Sequence, residues 1–259
     1  MEAKKSLGQN FLKNESIARD LVRAAGVGPE DTVLEVGPGK GMITKILLEK
    51  ALRVVAVEKD EALAAELAQT FSEEVGNGKL TVVSADILLF DPKNYNLGAG
   101  SYKLVGSIPY YITGFFLRRF LSIDPQPETI ALIIQKEVAR RIIGGGRESL
   151  LSISVKVYGE PRYVKTIRAG SFDPTPKVDS AILSIENISR GAFDTTSEDR
   201  FFTVLRAGFA HPRKKLLGNL AHTGIDKNAF EKASVNVNAR AENLSVDEWK
   251  RLAQTISDL

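Results

Sequence analysis

From Thr32 onward the chain repeats a strand, a turn and a helix so regularly that a mostly parallel sheet with crossover helices is the architecture it dictates. Short apolar or β-branched runs at 32–36, 53–57, 80–84, 102–105 and 129–134 predict five strands. Helical spacing falls between them at 42–52, 61–71 and 114–121, and again at 136–143 before the triple glycine Gly144-Gly145-Gly146. Residues 162–167 and 180–185 predict two further strands, an edge hairpin around the proline-stiffened segment 172–177. Residues 151–157 alternate like a strand where a crossover helix is needed, and period does not separate the two readings. Past Ile188 the strands vanish and helical spacing takes over at 197–209, 214–221, 227–233 and 246–256. The expected organisation is a Rossmann-like α/β domain over 1–190 and a small all-helical domain over 191–259.

The ends of the predicted strands carry the chemistry. Leu34-Glu35-Val36-Gly37-Pro38-Gly39-Lys40-Gly41 is a glycine-rich turn between the first strand and its helix, where missing Cβ atoms let a ligand lie against the backbone. Glu58 closes the second strand about twenty residues on, where an acid accepts from both hydroxyls of a ribose. Asp86, at the end of the third, is an acceptor suited to an adenine amino group. Three strand ends thus converge on one nucleoside. A dinucleotide favours Gly-x-Gly-x-x-Gly, and Met42 breaks that pattern. S-Adenosylmethionine has no pyrophosphate, suits the tighter Gly-x-Gly-x-Gly turn, and is the preferred cofactor over a nicotinamide.

The fourth strand leads into Gly106-Ser107-Ile108-Pro109-Tyr110-Tyr111. Pro109 fixes its φ and removes an N–H, so the side chains beyond the strand are held rigidly at the sheet edge. A short hydroxyl (Ser107), a backbone carbonyl (Ile108) and an aromatic face (Tyr110) arrive together, as gripping a flat, amine-bearing ring requires.

Composition narrows the field further. With no cysteine and two histidines among 259 residues, thiolate metal sites and disulfides are excluded, no metal site is expected, and a cytoplasmic location fits. No apolar run approaches the roughly 20 residues that cross a bilayer, so no membrane partner is expected. A net charge of +3 permits a nucleic-acid partner without demanding one.

Five ordered blocks carry a resemblance that runs nearly end to end. They are Leu7-Gly8-Gln9-Asn10-Phe11-Leu12, the glycine turn 35–41, Gln135-Lys136-Glu137-Val138-Ala139-Arg140-Arg141, Phe172-x-Pro174-x-Pro176-Lys177-Val178-Asp179-Ser180, and Arg240-Ala241-Glu242-Asn243-Leu244-Ser245. In them the chain resembles the KsgA-type small-subunit ribosomal-RNA adenine N6-dimethyltransferases, a class I S-adenosylmethionine-dependent family. The resemblance implies that Gln9, Asn10 and Leu12 close over the cofactor with Gly37 and Gly39 beneath it. It implies that Glu58 holds the ribose, Asp86 with Ile87 the cofactor adenine, and that Tyr110 and Phe172 stack on the target adenine, with Ser107, Ile108 and Pro109 completing the catalytic corner. Phe172, beside two prolines, is expected to line a rim. The family makes 151–157 a helix, and that reading is adopted.

The implied substrate is a pair of adjacent adenines in a hairpin near the 3′ end of small-subunit rRNA, met by a monomer within an assembling small subunit. Arg140, Arg141, Arg147, Arg213, Lys214 and Lys215 are the candidate phosphate contacts. Two positions depart from the family: Ser107 stands where asparagine is usual, and His211 in Ala210-His211-Pro212-Arg213 where glutamine is more frequent. Ser-x-Pro-Tyr resembles the variant of some amino-group DNA methyltransferases, and His211 is read as an RNA-facing or helix-end residue, not a base. Rival readings are a large-subunit rRNA methylase of the antibiotic-resistance type, a non-catalytic RNA-binding ribosome-assembly factor, and a nicotinamide enzyme.

Overall fold

The computed structural model describes Lys4, residues 7–194 and residues 196–255. Its described residues fall into two compact units: one holds the chain up to Ala139 together with Glu160–Ile188, the other Arg140–Gly159 and the chain from Ser189 on.

The first unit is a seven-stranded sheet. In chain order its elements are β1 (Phe11–Leu12), α1 (Glu15–Ala24), β2 (Thr32–Val36), α2 (Met42–Lys50), β3 (Arg53–Glu58), α3 (Glu61–Thr70), α4 (Ser72–Gly76), β4 (Leu80–Ser84), β5 (Tyr102–Ser107), α5 (Thr113–Ser122) and β6 (Thr129–Gln135). After α6 (Lys136–Ile143) and α7 (Leu150–Lys156) the chain adds β7 (Glu160–Ile167), β8 (Phe172–Asp173) and β9 (Ser180–Glu186). The sheet runs β4-β3-β2-β5-β6-β9-β7, its first five strands parallel and β9 antiparallel to both of its neighbours, β6 and the edge strand β7. That order reverses between β2 and β5, and the crevice beyond the carboxyl ends of those strands is where such sheets hold ligands.

Burial explains why the strands read as unbroken apolar runs. Helices cover both faces, so β6 is buried from Thr129 to Ile134 and β3 from Val54 to Glu58. Side chains on one face, among them Val33, Val54, Val105 and Ile133, pack with Leu21, Ile46 and Leu47 from α1 and α2 into one continuous core. Gly106 lets β5 lie close against β2: a Cβ there would lie 2.5 Å from the Val36 carbonyl oxygen.

The N-terminal segment is not a simple tail. Phe11 and Leu12 pair antiparallel with Asp173 and Phe172, and the Lys13 N–H donates to the Ser171 carbonyl at 2.9 Å. Two short segments far apart in sequence therefore form one ribbon.

The second unit contains the residues of α7, then α8 (Glu198–Gly208), α9 (Leu216–Leu220), α10 (Lys227–Lys232) and α11 (Val246–Gln254). The predicted end of the last helix, Ile256, lies outside the described residues. Residues 151–157 are helical from Leu150 to Lys156: Ser149 and Ser152 form a reciprocal capping box that the alternation of apolar residues masks. The sequence reading left 140–159 with the sheet, and the structure groups them with the helices. Tyr158 supplies the reason, meeting Phe193 edge to face at a centroid distance of 5.3 Å, stacking on Phe202 at 6.0 Å and donating its hydroxyl to Glu198 at 2.5 Å. Its burial drives that choice, since a buried tyrosine needs both ring contacts and a hydroxyl partner.

Candidate active site

The carboxyl ends of β2, β3 and β5 open onto a cavity of about 210 Å³ lined by residues of the sheet unit alone. Its walls include every predicted site residue: Gln9, Asn10, Leu12, Gly37, Gly39, Glu58, Asp86, Ile87, Ser107, Ile108, Pro109, Tyr110 and Phe172.

The floor is the glycine turn. Gly37 has φ +65°, and a Cβ there would lie 2.8 Å from the Ser107 carbonyl oxygen, so any other residue would be strained and would collide with the end of β5. The turn is tied to β3, since the Gly37 N–H donates to the Val57 carbonyl at 3.1 Å and the Gly39 N–H to Glu58 Oε2 at 3.1 Å. Glu58 Oε1 accepts from the Asp60 N–H at 3.0 Å, which fixes the carboxylate plane. Burial raises the Glu58 carboxyl above its ordinary value, partly offset by these backbone donors. A buried carboxylate that still lines the cavity favours a ligand bringing hydroxyl donors.

Beneath the turn, Glu35 is fully buried and outside the cavity wall. Neither of its oxygens has a hydrogen bond among the described residues, and burial pushes its carboxyl up to about 8. Thr44 on α2 is its polar neighbour and offsets this only in part.

Asp86 lines the same cavity. Its Oδ1 accepts from the Leu88 N–H at 2.9 Å, and its Oδ2 meets Lys59 Nζ at 2.8 Å. The Lys59 ammonium holds this carboxyl below its ordinary value, so Asp86 is a standing acceptor.

The N-terminal segment forms a strap. Gln9 Nε2 donates to Asp60 Oδ2 at 3.1 Å and Lys4 Nζ meets the same carboxylate at 2.9 Å, while Asp60 also caps α3. Asn10 turns inward on its own loop, Nδ2 to the Gly8 carbonyl at 3.0 Å. Phe11 lies on Gly39, with Lys40 Nζ 4.8 Å from the centre of its ring.

On the far side, Ser107 ends β5 with its hydroxyl unpartnered among the described residues. Tyr110 starts a single 3₁₀ turn and its hydroxyl is 2.6 Å from Ser180 Oγ, a fully buried residue of β9. That bond anchors the far end of the ring and occupies the hydroxyl. Burial raises the Tyr110 hydroxyl above its ordinary value, so it is not a proton acceptor at neutral pH. Ser180 escaped the sequence reading, though it closes the fourth block, because its partner lies seventy residues away. Phe172 departs from expectation: only 1 % exposed and part of the core, it is a buried wall and not a rim. Pairing of β8 with β1 draws it inward.

The six candidate cations Arg140, Arg141, Arg147, Arg213, Lys214 and Lys215 are all exposed and all belong to the helical unit, as does the exposed His211.

A doubly wound sheet with a positive-φ glycine turn, a strand-end glutamate and a further strand-end acid around one cavity defines an S-adenosylmethionine-dependent methyltransferase. The profile of the family described as ribosomal RNA adenine dimethylase matches residues 1–258, and the chain belongs to that family as an S-adenosylmethionine-dependent rRNA adenine dimethyltransferase. It is 40% identical over 258 residues to the Ribosomal RNA small subunit methyltransferase A of Dehalococcoides mccartyi, covering 97% of this chain and 88% of that protein. To the protein of the same name from Clostridium botulinum it is 35% identical over 262 residues, covering 98% and 94%. Among solved structures, the 23S rRNA methyltransferase ErmE superposes with a TM-score of 0.76 at 28% identity, covering 95% of this chain and 98% of that one. A dimethyladenosine transferase from Plasmodium falciparum superposes with a TM-score of 0.79 at 24% identity over 93% and 95%, a likeness of fold.

Proposed function

We propose that this protein methylates N6 of two adjacent adenines in a hairpin near the 3′ end of small-subunit rRNA, acting as a cytoplasmic monomer on an assembling small subunit. The observation that carries the reading is one cavity in which a nucleoside cradle and an amine-gripping corner share a wall at Gly37 and Ser107. The small-subunit assignment is supported by two relatives of that name at 40% and 35% identity, against 28% for the 23S enzyme.

The residues fit the cofactor. Glu58 offers its carboxylate to the ribose hydroxyls, Asp86 with Ile87 takes the adenine edge, Gly37 and Gly39 leave room beneath, and Gln9, Asn10 and Leu12 cover it. When bound, S-adenosylmethionine supplies a methyl group on a positively charged sulfur that leaves as a neutral thioether.

The remaining chemistry belongs to the chain. Adenine N6 is a poor nucleophile because its lone pair is delocalised into the ring. Ser107 Oγ and the Ile108 carbonyl accept its two N–H bonds and so favour a geometry in which that pair is localised and aimed at the methyl carbon. Pro109 holds those acceptors rigid. Tyr110 presents a stacking face and Phe172 backs the other side, as expected of an enzyme that draws a base out of its stack. Once the N–C bond forms, the nitrogen is strongly acidic and loses its proton to water, so no dedicated base is required. The monomethylated amine keeps one N–H for one of the two acceptors, and the short Ser107 leaves space for the methyl group already present.

Exposed cations of the helical unit support an RNA-backbone role for it, which makes affinity fall with salt. The decisive assay is incubation with labelled methyl donor and undermethylated small subunits, followed by mass analysis of the RNA. Dimethyladenosine at two adjacent small-subunit positions is expected. Label in large-subunit RNA, or binding without transfer, would overturn the reading in favour of a resistance-type methylase or an assembly factor.

A further inference from the structure

Helix α5 buries Phe116, Leu117, Phe120 and Leu121 against the sheet, as an amphipathic helix should. Its opposite face is unusual. Tyr111 and Phe115 are 63% and 69% exposed, the most exposed aromatic residues among the described ones. A single exposed apolar residue is ordinary, but two exposed rings so close together, Tyr111 on the 3₁₀ turn and Phe115 on the first turn of the helix that follows it, are not.

Three further facts give this face a direction. Tyr111 itself lines the catalytic cavity, so the face is continuous with the cavity mouth. Gly114 lies between the rings with nothing within 4 Å of where a Cβ would stand, which leaves a flat, open step. Arg118 follows at the next turn, exposed, its guanidinium without an ion pair among the described residues. Gly114, Phe115 and Arg118 share the exposed side of α5, with Arg118 at i+4 from Gly114 and i+3 from Phe115, and Tyr111 on the preceding 3₁₀ turn adds a second exposed ring next to the cavity: two flat rings, a gap and a cation in one short stripe. Aromatic platforms combined with a cation are how proteins hold single-stranded nucleic acid. Lys59, paired with Asp86, adds positive charge beside Tyr111 at the same mouth.

We infer that this stripe seats the nucleotide next to the target adenine, its base stacked on Phe115 and Tyr111 and its phosphate on Arg118. The inference rests on the reading of the cavity as an adenine N6-methylation site, and it extends that reading by naming where the neighbouring base goes. Two adjacent targets then have two stations, one in the cavity and one on the stripe.

The test uses the full chain and a hairpin RNA in which 2-aminopurine replaces, in turn, each base flanking the target adenine. Binding by the wild-type protein is expected to quench the fluorescence at one flank. Phe115→Ser, which touches neither core nor cavity wall, is expected to abolish that quenching and to raise KM for RNA about tenfold. It should leave cofactor affinity and the melting temperature unchanged. Arg118→Gln is expected to reduce the slope of log affinity against log salt by about one. Wild-type quenching and KM in Phe115→Ser would overturn the inference. So would sedimentation showing a wild-type dimer that Phe115→Ser dissociates, since a second copy would then cover the stripe. Because quenching reports binding without transfer, its persistence in a protein that transfers no methyl group would condemn the catalytic reading and leave the stripe standing.

Discussion

The two halves of the cavity are built differently. Around the glycine turn, bonds are redundant: Glu58 accepts from two backbone N–H groups, the turn is tied twice to β3, and Asp86 is held by both a backbone N–H and Lys59. At the Ser107–Tyr110 corner they are sparse, with one long-range bond from Tyr110 to Ser180 and a Ser107 hydroxyl left free. A binding half that must hold one fixed ligand is preorganised by many weak constraints. On the proposed reading, the corner half takes an unmethylated and then a methylated amine, and its sparse bonding leaves the Ser107 hydroxyl open for it. Damage to the first half should appear in cofactor affinity, and damage to the second in turnover.

The largest effect expected is on the first half. Glu58→Ala removes the carboxylate proposed to hold the ribose, and cofactor affinity by calorimetry should fall about 100-fold, the equivalent of about 3 kcal/mol in charge-assisted hydrogen bonds. Unchanged affinity would show that the two halves are not separated as described. Ser180→Ala comes next. It strands the buried Tyr110 hydroxyl, and kcat should drop about tenfold with cofactor affinity unchanged. Tyr110→Phe should cost the same, and the double variant no more than either alone; additive losses would mean that Ser180 acts elsewhere.

A smaller effect concerns stability. The Glu35 carboxyl is raised by burial from 4.5 to about 8, so between those values the folded state keeps a proton that the unfolded chain releases. Stability therefore falls as pH rises from 4.5 towards 8 and levels off above. Glu35→Gln should remove that slope, gaining on the order of 2 kcal/mol at the alkaline end in denaturant titrations. A variant whose pH profile matches the parent would refute this account of Glu35. Smallest of all, Ser107→Asn restores the residue usual in the family and should leave kcat equal or about threefold higher; an inactive Ser107→Asn in an otherwise active protein would sink the amine grip.

That Gly37, Gly39, Glu58 and Asp86 line one cavity was legible in the sequence, because the parts are local: a glycine turn and the acids that end successive strands fall at spacings a parallel sheet imposes. The corner at Ser107 was legible as a rigid strand end for the same reason. Its support was not. Ser180 reaches Tyr110 only because β9 inserts between β6 and β7, and Phe172 is buried only because β8 pairs with β1. The first depends on a contact seventy residues apart in the chain, the second on a pairing across more than a hundred residues. Likewise the helix at Leu150–Lys156 follows from the Ser149 capping box, while its apolar residues alternate as in a strand. The transfer of Arg140–Gly159 to the helical unit follows from aromatic contacts of Tyr158 that no shift in composition marks.

The separation of the two halves is tested most directly by one variant measured twice. Tyr110→Ala should bind S-adenosylmethionine with the affinity of the parent in calorimetry while its transfer to small-subunit RNA falls at least about 100-fold, as loss of a positioned base requires. A Tyr110→Ala protein that transfers methyl groups at the parental rate, or that loses the cofactor as Glu58→Ala does, would contradict the account.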